Sequence, residues 1–315
     1  MSAQQASNNS ISVVVPIYKC ESCLEQLCNE LNKYLSTITN TFEVIFVDDR
    51  SPDNSWCLIQ ELKKKFTFLK SVRLSRNYGQ HIAITAGLAE ATGDYAVVMD
   101  CDLQDPPSLI PDMYREIQKG NDLVLAKRFQ RTHSGFRKLA AKLYFHIMSK
   151  LTREKVDGEY GSFSMLSRKV IDAFLLFQEK ERHYLFILRW LGFKMGTIEY
   201  SHQDRYSGAS SYTFSKLLHH AVDGVFFQAT VLLHWIVAIG LLFSISGVGM
   251  AVFYVWRYVY FTSLPGWTSL IVIVLVSTGI ILVSMGVVGM YVSKIFEQTK
   301  MRPLYVVDVM SDSSS

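Results

Sequence analysis

Short apolar segments alternate with amphipathic ones over residues 11–200. The apolar segments are nearly continuous in hydrophobicity and are followed by turn residues, which is typical of strands covered on both faces. They are Ile11–Val15, Val44–Val47, Val72–Leu74, Ala96–Met99 and Leu123–Ala126. Segments with helical periodicity lie between them, at 22–37, 54–65, 79–91 and 107–119. The alternation predicts an α/β domain with a largely parallel sheet, in which ligands gather at the carboxyl ends of the strands.

Two much longer apolar segments follow, Val231–Trp256 and Trp267–Val292. The first contains His234 as its single ionisable residue, and the second contains no acidic or basic residue. As helices each would be roughly 39 Å long, enough to cross a hydrocarbon core of about 30 Å. The link 257–266 has one basic residue, whereas Lys and Arg flank the pair on its outer sides. The positive-inside rule therefore predicts a transmembrane hairpin with both termini in the cytoplasm; a buried helical hairpin in a soluble core is the alternative.

The composition agrees with a membrane protein that carries a cytosolic domain. Of 315 residues, 49% are hydrophobic and 19% charged, below the ~25% of soluble domains. The formal charge of +4 is too small to indicate a nucleic-acid partner. The uncharged segment 1–10 is expected to be a disordered N-terminus without a signal peptide. The odd number of cysteines argues against a secreted disulfide framework. They are Cys20, Cys23, Cys28, Cys57 and Cys101.

Acidic residues follow two of the predicted strands. Asp48 and Asp49 end the second, and the segment Asp100-Cys101-Asp102-Leu103-Gln104-Asp105 follows the fourth. Two carboxylates in a D-x-D spacing just past a strand can bind one hard cation and leave positions open for phosphate oxygens. A solvated acidic turn that caps the next helix is the alternative. The sequence lacks G-x-G-x-x-G after any strand and lacks G-K-[ST], which argues against a dinucleotide dehydrogenase and a P-loop NTPase.

Several motifs in the same order resemble family 2 glycosyltransferases that move a sugar from a nucleotide onto polyprenyl phosphate. They are VVVPIY (13–18), FVDDRSPDNS (46–55), LSRNYGQHIAITAGLAEATGDY (74–95), VMDCDLQDPP (98–107), LVLAKR (123–128), EYGSFSMLSRKVIDA (159–173), RYSGASSYTFSKLL (205–218) and MRPLYVV (301–307). Bactoprenol glucosyltransferases and undecaprenyl-phosphate formamidoarabinose transferases are the most similar groups, and dolichol-phosphate mannose synthases are more distant. The resemblance implies a GT-A fold, which is Rossmann-like with a mostly parallel sheet, followed by two transmembrane helices.

The resemblance also implies roles for individual residues. Those expected to bind the nucleotide-sugar are Pro16, Tyr18, Asp48, Asp49, Arg76 and Asp100. Those expected to hold Mg²⁺ or Mn²⁺ are Asp100, Asp102 and Gln104. Those expected to bind the acceptor phosphate are Arg128, Arg137, Lys138 and Arg205. Asp100, Asp102 and Arg128 are the expected catalytic residues. The chain departs from the family at Lys19-Cys20-Glu21, usually Asn-Glu-Glu, and at Arg50, usually Gly.

The expected reaction is an inverting displacement by a phosphate monoester, which is already largely dianionic at pH 7 because its second pKa is about 6. We therefore expect no essential general base. UDP-glucose is the first choice of donor, and a UDP-linked modified pentose or amino sugar is the second. A processive polysaccharide synthase, a non-catalytic nucleotide-binding module and a soluble glycosyltransferase are the other interpretations. The sequence lacks the Q-x-x-R-W motif of the first, since Phe186 stands where the Gln would be.

The predicted organisation places the chain in the bacterial cytoplasmic membrane. Its parts are a catalytic domain at 11–204, a juxtamembrane amphipathic segment at 205–228, the hairpin at 229–293 and a cytosolic tail at 294–315. The basic, amphipathic segment 133–151 is expected to lie on the bilayer or to pack on the α/β core. The resemblance adds a homo-oligomer, a tetramer among relatives. The expected partners are therefore the UDP-sugar, polyprenyl phosphate, the lipid bilayer and further copies of the chain.

Overall fold

The structure is a computed structural model that describes residues 9–129, 160–180, 182–201, 231–260 and 266–311. Two compact units are present. The described residues up to 201, together with 302–311, belong to the first unit, and 231–260 and 266–301 belong to the second.

The first unit is built on a sheet of eight strands. They are β1 (Ile11–Ile17), β2 (Phe42–Asp48), β3 (Leu69–Leu74), β4 (Tyr95–Val98), β5 (Leu123–Phe129), β6 (Tyr160–Ser167), β7 (Met195–Ser201) and β8 (Val307–Ser311). The helices of this unit are α1 (Leu24–Leu35), α2 (Ser55–Lys65), α3 (Gln80–Glu90), α4 (Ile110–Ile117), α5 (Arg168–Leu175) and α6 (Tyr184–Trp190). Short 3₁₀ turns at Glu21–Cys23 and Pro107–Leu109 precede α1 and α4. The five strands predicted from hydrophobicity are confirmed, and β6, β7 and β8 are additional.

The strand order is β7-β5-β6-β4-β1-β2-β3-β8. The pairs β1–β2, β1–β4, β2–β3 and β5–β7 are parallel, whereas β6 is antiparallel to β4 and β5, and β8 is antiparallel to β3. The α/β class and the mostly parallel sheet are therefore confirmed. Strand β6 runs antiparallel to its neighbours β4 and β5. Its first residues therefore lie at the same edge of the sheet as the carboxyl ends of β1, β2, β4, β5 and β7.

Helices cover both faces of this sheet. Along β1, Val13 and Val15 pack into the core with α1 and α4, whereas Val14 packs into the core on the α3 side. Because neighbouring side chains of a strand point to opposite faces, both sets must be apolar, which explains the continuous hydrophobicity of these strands. At Gly87 of α3, an added Cβ would lie 2.3 Å from Val14 Cγ1, so this helix packs unusually close to the sheet.

All five cysteines are free thiols, as the odd count indicated. Cys20, Cys23 and Cys28 are buried around the start of α1, and Cys57 is exposed on α2. The Cys20 thiol donates a hydrogen bond to the Cys101 carbonyl at 3.1 Å, which ties the residue after β1 to the D-x-D segment.

The second unit contains two long helices, α7 (Val231–Tyr260) and α8 (Trp267–Thr299). Within the described residues, one stretch, Val276–Thr299, is long and apolar enough to cross a membrane, with a mean hydropathy of 1.8. A shorter apolar stretch, Ala238–Met250, lies in α7. Large apolar side chains of both helices are exposed, including Leu242 at 70% and Val283 at 69%. Within the described residues, one stretch thus meets the criteria of length and hydropathy for a membrane span, whereas the sequence predicted two.

Candidate active site

Polar side chains from five strands meet at the carboxyl edge of the sheet. Asp48 ends β2, Asp100 follows β4, and Arg128 and Tyr200 lie near the ends of β5 and β7. Ser162 lies near the start of the reversed strand β6, and therefore at the same edge. The topology thus brings together residues that are widely separated in the chain.

Asp49 organises the loop that follows β3. Its Oδ1 accepts the Tyr78 amide at 2.7 Å, and its Oδ2 accepts the Gly79 amide at 2.8 Å. Burial raises the pKa of Asp49, as does the neighbouring charge of Asp48, although the two amide bonds lower it. Gly79 has φ +91°, a left-handed conformation that glycine adopts without strain. Both oxygens of this predicted nucleoside ligand therefore hold the loop 75–79 in place.

Asp48 is fully buried beside this loop and is paired with a neighbouring strand. Its Oδ2 lies 3.3 Å from Arg73 Nε, and its Oδ1 accepts the Ser51 amide at 3.0 Å. The Arg73 guanidinium in turn lies over the Trp56 ring, with Cζ 5.3 Å from the ring centroid. The Asp48 carboxylate is thus compensated by Arg73, and its position at the end of β2 is fixed.

The other predicted nucleotide ligands surround these two carboxylates. Pro16 is buried in β1, and Tyr18 beyond it is 47% exposed. Arg76 is exposed in the loop after β3, with its guanidinium carbon 4.5 Å from the Tyr78 ring centroid. Lys19 and Arg50, which both lie where the chain departs from the family pattern, have left-handed backbones, with φ values of 57° and 55°.

The D-x-D segment places Asp100 in a hydrogen-bonded, negatively charged environment. Its Oδ1 accepts Gln80 Nε2 at 2.7 Å and Ser162 Oγ at 2.8 Å. Burial, together with the charges of Asp105 and Asp102, raises the pKa of Asp100 to about 6. Gln80 and Ser162 were not assigned from the sequence, although both lie in motifs that carry the family resemblance.

The rest of the segment turns sharply so that its acidic side chains stay close. Leu103 has φ +60°, and the Gln104 amide donates to Asp102 Oδ1 at 3.1 Å. Asp105 is fully buried, and within the described part of the chain its Oδ2 has no hydrogen-bond partner. This turn therefore concentrates negative charge next to Asp100.

These residues fit a divalent cation. The half-buried Asp100 carboxylate, the Asp102 carboxylate two residues away and the Gln104 amide oxygen are hard oxygen donors. In the ranges the structure describes, no three His, Cys, Asp or Glu side chains are grouped so that they could hold a metal ion by themselves. Asp100, Asp102 and Gln104 are the residues that could contribute to holding one.

Arg128 is held by two side chains at the same edge. Its Nε donates to the Tyr200 hydroxyl at 3.1 Å, and its Nη2 lies 3.4 Å from Asp105 Oδ1. The Tyr200 hydroxyl donates to Asp105 Oδ1 at 2.5 Å. Burial lowers the pKa of Arg128, but Asp105 and Tyr200 outweigh burial and raise it. The sequence offered no signal for Tyr200, whereas Asp105 was visible in the acidic segment without a role.

Three predicted acceptor residues, Arg137, Lys138 and Arg205, lie outside the described residues, as does the segment 133–151. The structure therefore brings together Asp48, Asp49, Asp100, Asp102, Gln104 and Arg128 at one edge of the sheet.

Sequence comparisons show which family the chain resembles. The profile of glycosyl transferase family 2 matches residues 12–175. The chain is 34% identical to an uncharacterized glycosyltransferase of Bacillus subtilis, covering 94% of this chain and 92% of the relative. It is 32% identical to an undecaprenyl-phosphate 4-deoxy-4-formamido-L-arabinose transferase of Proteus mirabilis (95% and 93% covered). It is 30% identical to a bactoprenol glucosyl transferase of Shigella phage SfV (94% and 97% covered).

A comparison of folds gives a consistent result. A mycobacterial protein of known crystal structure superimposes with a TM-score of 0.50 at 17% identity, covering 70% of this chain and 73% of that protein. At this level of identity the similarity concerns the fold alone.

Proposed function

Because the chain belongs to glycosyltransferase family 2, we propose that it transfers a sugar from a UDP-sugar to polyprenyl phosphate with inversion at the anomeric carbon. One observation supports this most directly. The D-x-D carboxylates and the Arg128 guanidinium lie at the same strand edge, connected by Asp105. An anionic donor held through a cation and an anionic acceptor held by arginine can thus meet there.

The donor diphosphate would bind at the D-x-D segment through Mg²⁺ or Mn²⁺. Asp100, Asp102 and Gln104 are the proposed protein ligands. The cation would supply Lewis-acid stabilisation of the negative charge on the leaving nucleoside diphosphate. Gln80 and Ser162 orient the Asp100 carboxylate by donating to its Oδ1.

Arg128 would bind and orient the acceptor phosphate. A guanidinium can donate two parallel hydrogen bonds to phosphate oxygens, and it stays charged at any physiological pH. The dianionic phosphate monoester needs orientation more than deprotonation, so positioning and electrostatics would supply most of the rate. Arg137, Lys138 and Arg205 are proposed to extend this basic acceptor site.

The uridine would bind beside the loop 75–79, with Pro16, Tyr18, Asp48, Asp49 and Arg76 as proposed contacts. Since Asp49 already binds two loop amides, we propose that it shapes this site as well as lining it. UDP-glucose is the proposed donor. A UDP-linked modified pentose or amino sugar is the second candidate, because similar relatives are named for both types of transfer.

We propose that α7 and α8 form a two-span hairpin in a bacterial cytoplasmic membrane, with the catalytic unit and both termini on the cytosolic side. The support is the 24-residue apolar stretch in α8, the exposed apolar side chains of both helices and the distribution of basic residues. A membrane-bound enzyme would meet its polyprenyl acceptor in the bilayer. A homo-oligomer is part of the proposal and rests on resemblance.

The experiment is transfer of radiolabel from a panel of UDP-sugars to undecaprenyl phosphate by the purified full-length protein. Each donor is tested with Mn²⁺, with Mg²⁺ and with EDTA. Metal-dependent label in the lipid from one donor would support the proposal and name the sugar. UDP binding without a lipid product from any donor would favour a non-catalytic nucleotide-binding module, and label in a polymer would favour a processive synthase.

A further inference from the structure

The Arg128 guanidinium belongs to a closed ring of three hydrogen-bonded side chains. Arg128 and Tyr200 are directly opposite each other on the parallel strands β5 and β7. Arg128 bonds to the Tyr200 hydroxyl and to Asp105, and the Tyr200 hydroxyl bonds to the same oxygen of Asp105. Each member therefore contacts the other two.

The chemistry of the three groups fixes the direction of every bond in this ring. Arginine can only donate and an ionised carboxylate can only accept, so the single proton of the Tyr200 hydroxyl must point to Asp105. The hydroxyl oxygen then accepts from Arg128 Nε. Asp105 is fully buried and Tyr200 is nearly so, which excludes water as a competing partner and makes the ring rigid.

The ring leaves one side of the guanidinium available. It uses Nε and one of the two Nη2 hydrogens. Gly161 has no side chain and so leaves room beside the guanidinium, where a Cβ would lie 2.8 Å from Nη2. Within the described residues, the Nη1 donors take no part in these contacts. The second Nη2 hydrogen and the Nη1 hydrogens can therefore donate to phosphate oxygens on the side that the ring does not occupy.

We propose that Asp105 and Tyr200 are positioning residues that hold the Arg128 guanidinium in the orientation needed by the acceptor phosphate. This inference rests on the proposed function. It gives a role to a buried carboxylate and a buried hydroxyl that the donor and cation sites do not use. A structural clamp between β5 and β7, without effect on the acceptor, is the alternative that the experiment must separate.

The main test compares Tyr200→Phe with Tyr184→Phe in the full-length protein. Both substitutions remove one buried hydroxyl and keep the ring, but the Tyr184 hydroxyl bonds to Ser164 at 2.6 Å and does not contact Arg128. We expect Tyr200→Phe to raise the KM for undecaprenyl phosphate about tenfold, the effect of one lost hydrogen bond to a charged group. The KM for the UDP-sugar should change by less than about twofold, and Tyr184→Phe should leave both constants unchanged.

The second test repeats Tyr200→Phe in an Arg128→Lys background. If Tyr200 acts through the guanidinium, it has no further effect on the acceptor KM once the guanidinium is gone. An equal effect in both backgrounds, or an unchanged acceptor KM with a melting temperature lowered as in Tyr184→Phe, would overturn the proposal in favour of a clamp.

Asp105→Asn tests the third member. It keeps an acceptor oxygen but loses the charge, so we expect a raised acceptor KM with an unchanged Mn²⁺ or Mg²⁺ requirement. A change in metal requirement with a normal acceptor KM would instead assign Asp105 to the cation site.

The wild-type protein separates this inference from the proposed function. If it transfers no sugar to polyprenyl phosphate, both are overturned. If it transfers sugar normally and any variant gives a contrary result, the inference alone is overturned.

Discussion

At the scale of single residues, Asp100 differs from ordinary surface carboxylates. Asp100 accepts two side-chain hydrogen bonds, and burial together with the charges of Asp105 and Asp102 raises its pKa to about 6. The neighbouring carboxylates repel one another when no cation is bound, and a divalent cation would compensate this unfavourable electrostatic energy. This environment suits the divalent cation proposed above.

We predict that Asp102→Ala lowers transfer at least about a hundredfold, because the cation loses a ligand and the leaving diphosphate loses its stabilisation. The measurement is label transfer with saturating donor. Asp112→Ala is the matched control, since Asp112 is an exposed carboxylate on α4 paired with Arg115. Both variants should melt at the wild-type temperature. Normal turnover of Asp102→Ala would rule out the assigned metal site.

Two half-buried histidines pack against each other near the start of α3. The rings of His81 and His183 lie 4.5 Å apart, and neither Nδ1 has a hydrogen-bond partner among the described residues. Burial lowers the pKa of each to about 4, helped for His183 by the charges of His81 and Arg189. Both are therefore neutral in the folded protein at pH 7.

We predict that this pair makes the protein less stable in acid. Because the folded pKa values lie below the ordinary value near 6.5, the unfolded chain binds more protons, and stability is lost as the pH falls from about 6.5 to 4. At pH 4 the loss should be on the order of 3 kcal/mol for each histidine, enough to lower the melting temperature by several degrees. A His81→Phe, His183→Phe double variant, melted in detergent across this range, should lose part of the pH dependence. An identical pH profile would refute the prediction.

At the scale of elements, the C-terminal strand β8 completes the sheet from the far end of the chain. It pairs with β3, and the Ser75 amide donates to the Val306 carbonyl at 2.9 Å. Arg50 Nη1 lies 2.6 Å from Asp308 Oδ2. The segment thus supports the loop 75–79, which Asp49 holds from the other side. It also gives Arg50, a departure from the family, a structural partner.

We predict that deletion of residues 305–315 lowers the melting temperature and weakens UDP binding. The deletion removes the β3–β8 hydrogen bonds, exposes the edge of β3 and releases the loop beside the nucleotide site. The loss should be at least about 2 kcal/mol, from several hydrogen bonds at about 1 kcal/mol each. Deletion of 312–315 alone, beyond β8, is the control and should have no effect. Equal UDP affinity in both deletions would contradict the role in nucleotide binding.

At the scale of the whole molecule, the chain combines an α/β unit that has a charged site with two long apolar helices. In the proposed membrane topology, the number of spans decides on which side of the bilayer each part lies. With two spans, the residues before α7 and those after α8 must share one side.

We predict that a cysteine at Ser263, between the helices, reacts with an impermeant maleimide in intact cells. A cysteine at Ser314 should react only after the cells are lysed, because the C-terminus is cytosolic in the hairpin topology. The native Cys57 is exposed in the catalytic unit and serves as an internal control for permeability. Labelling of Ser314→Cys in intact cells, or protection of Ser263→Cys, would contradict the two-span topology.

The sequence by itself determined the class of fold and the position of the D-x-D motif after a buried strand. Continuous apolar runs such as Val13–Val15 mark buried parallel strands, and the D-x-D spacing is local, so neither depends on distant residues. It did not reveal β6, β7 and β8, because their mixed polar and apolar residues are typical of strands and of loops alike. The C-terminal segment appeared to be a tail for the same reason.

The tertiary structure alone decided which side chains meet. Asp105, Arg128 and Tyr200 are far apart in sequence and converge because β6 reverses between β4 and β5, which places the ends of β5 and β7 beside the turn after β4. Likewise the strand pairing of β3 with β8 gives Arg50 its partner, Asp308. Sequence patterns report local periodicity and spacing, whereas a site formed by strand order depends on long-range pairing that no local pattern contains.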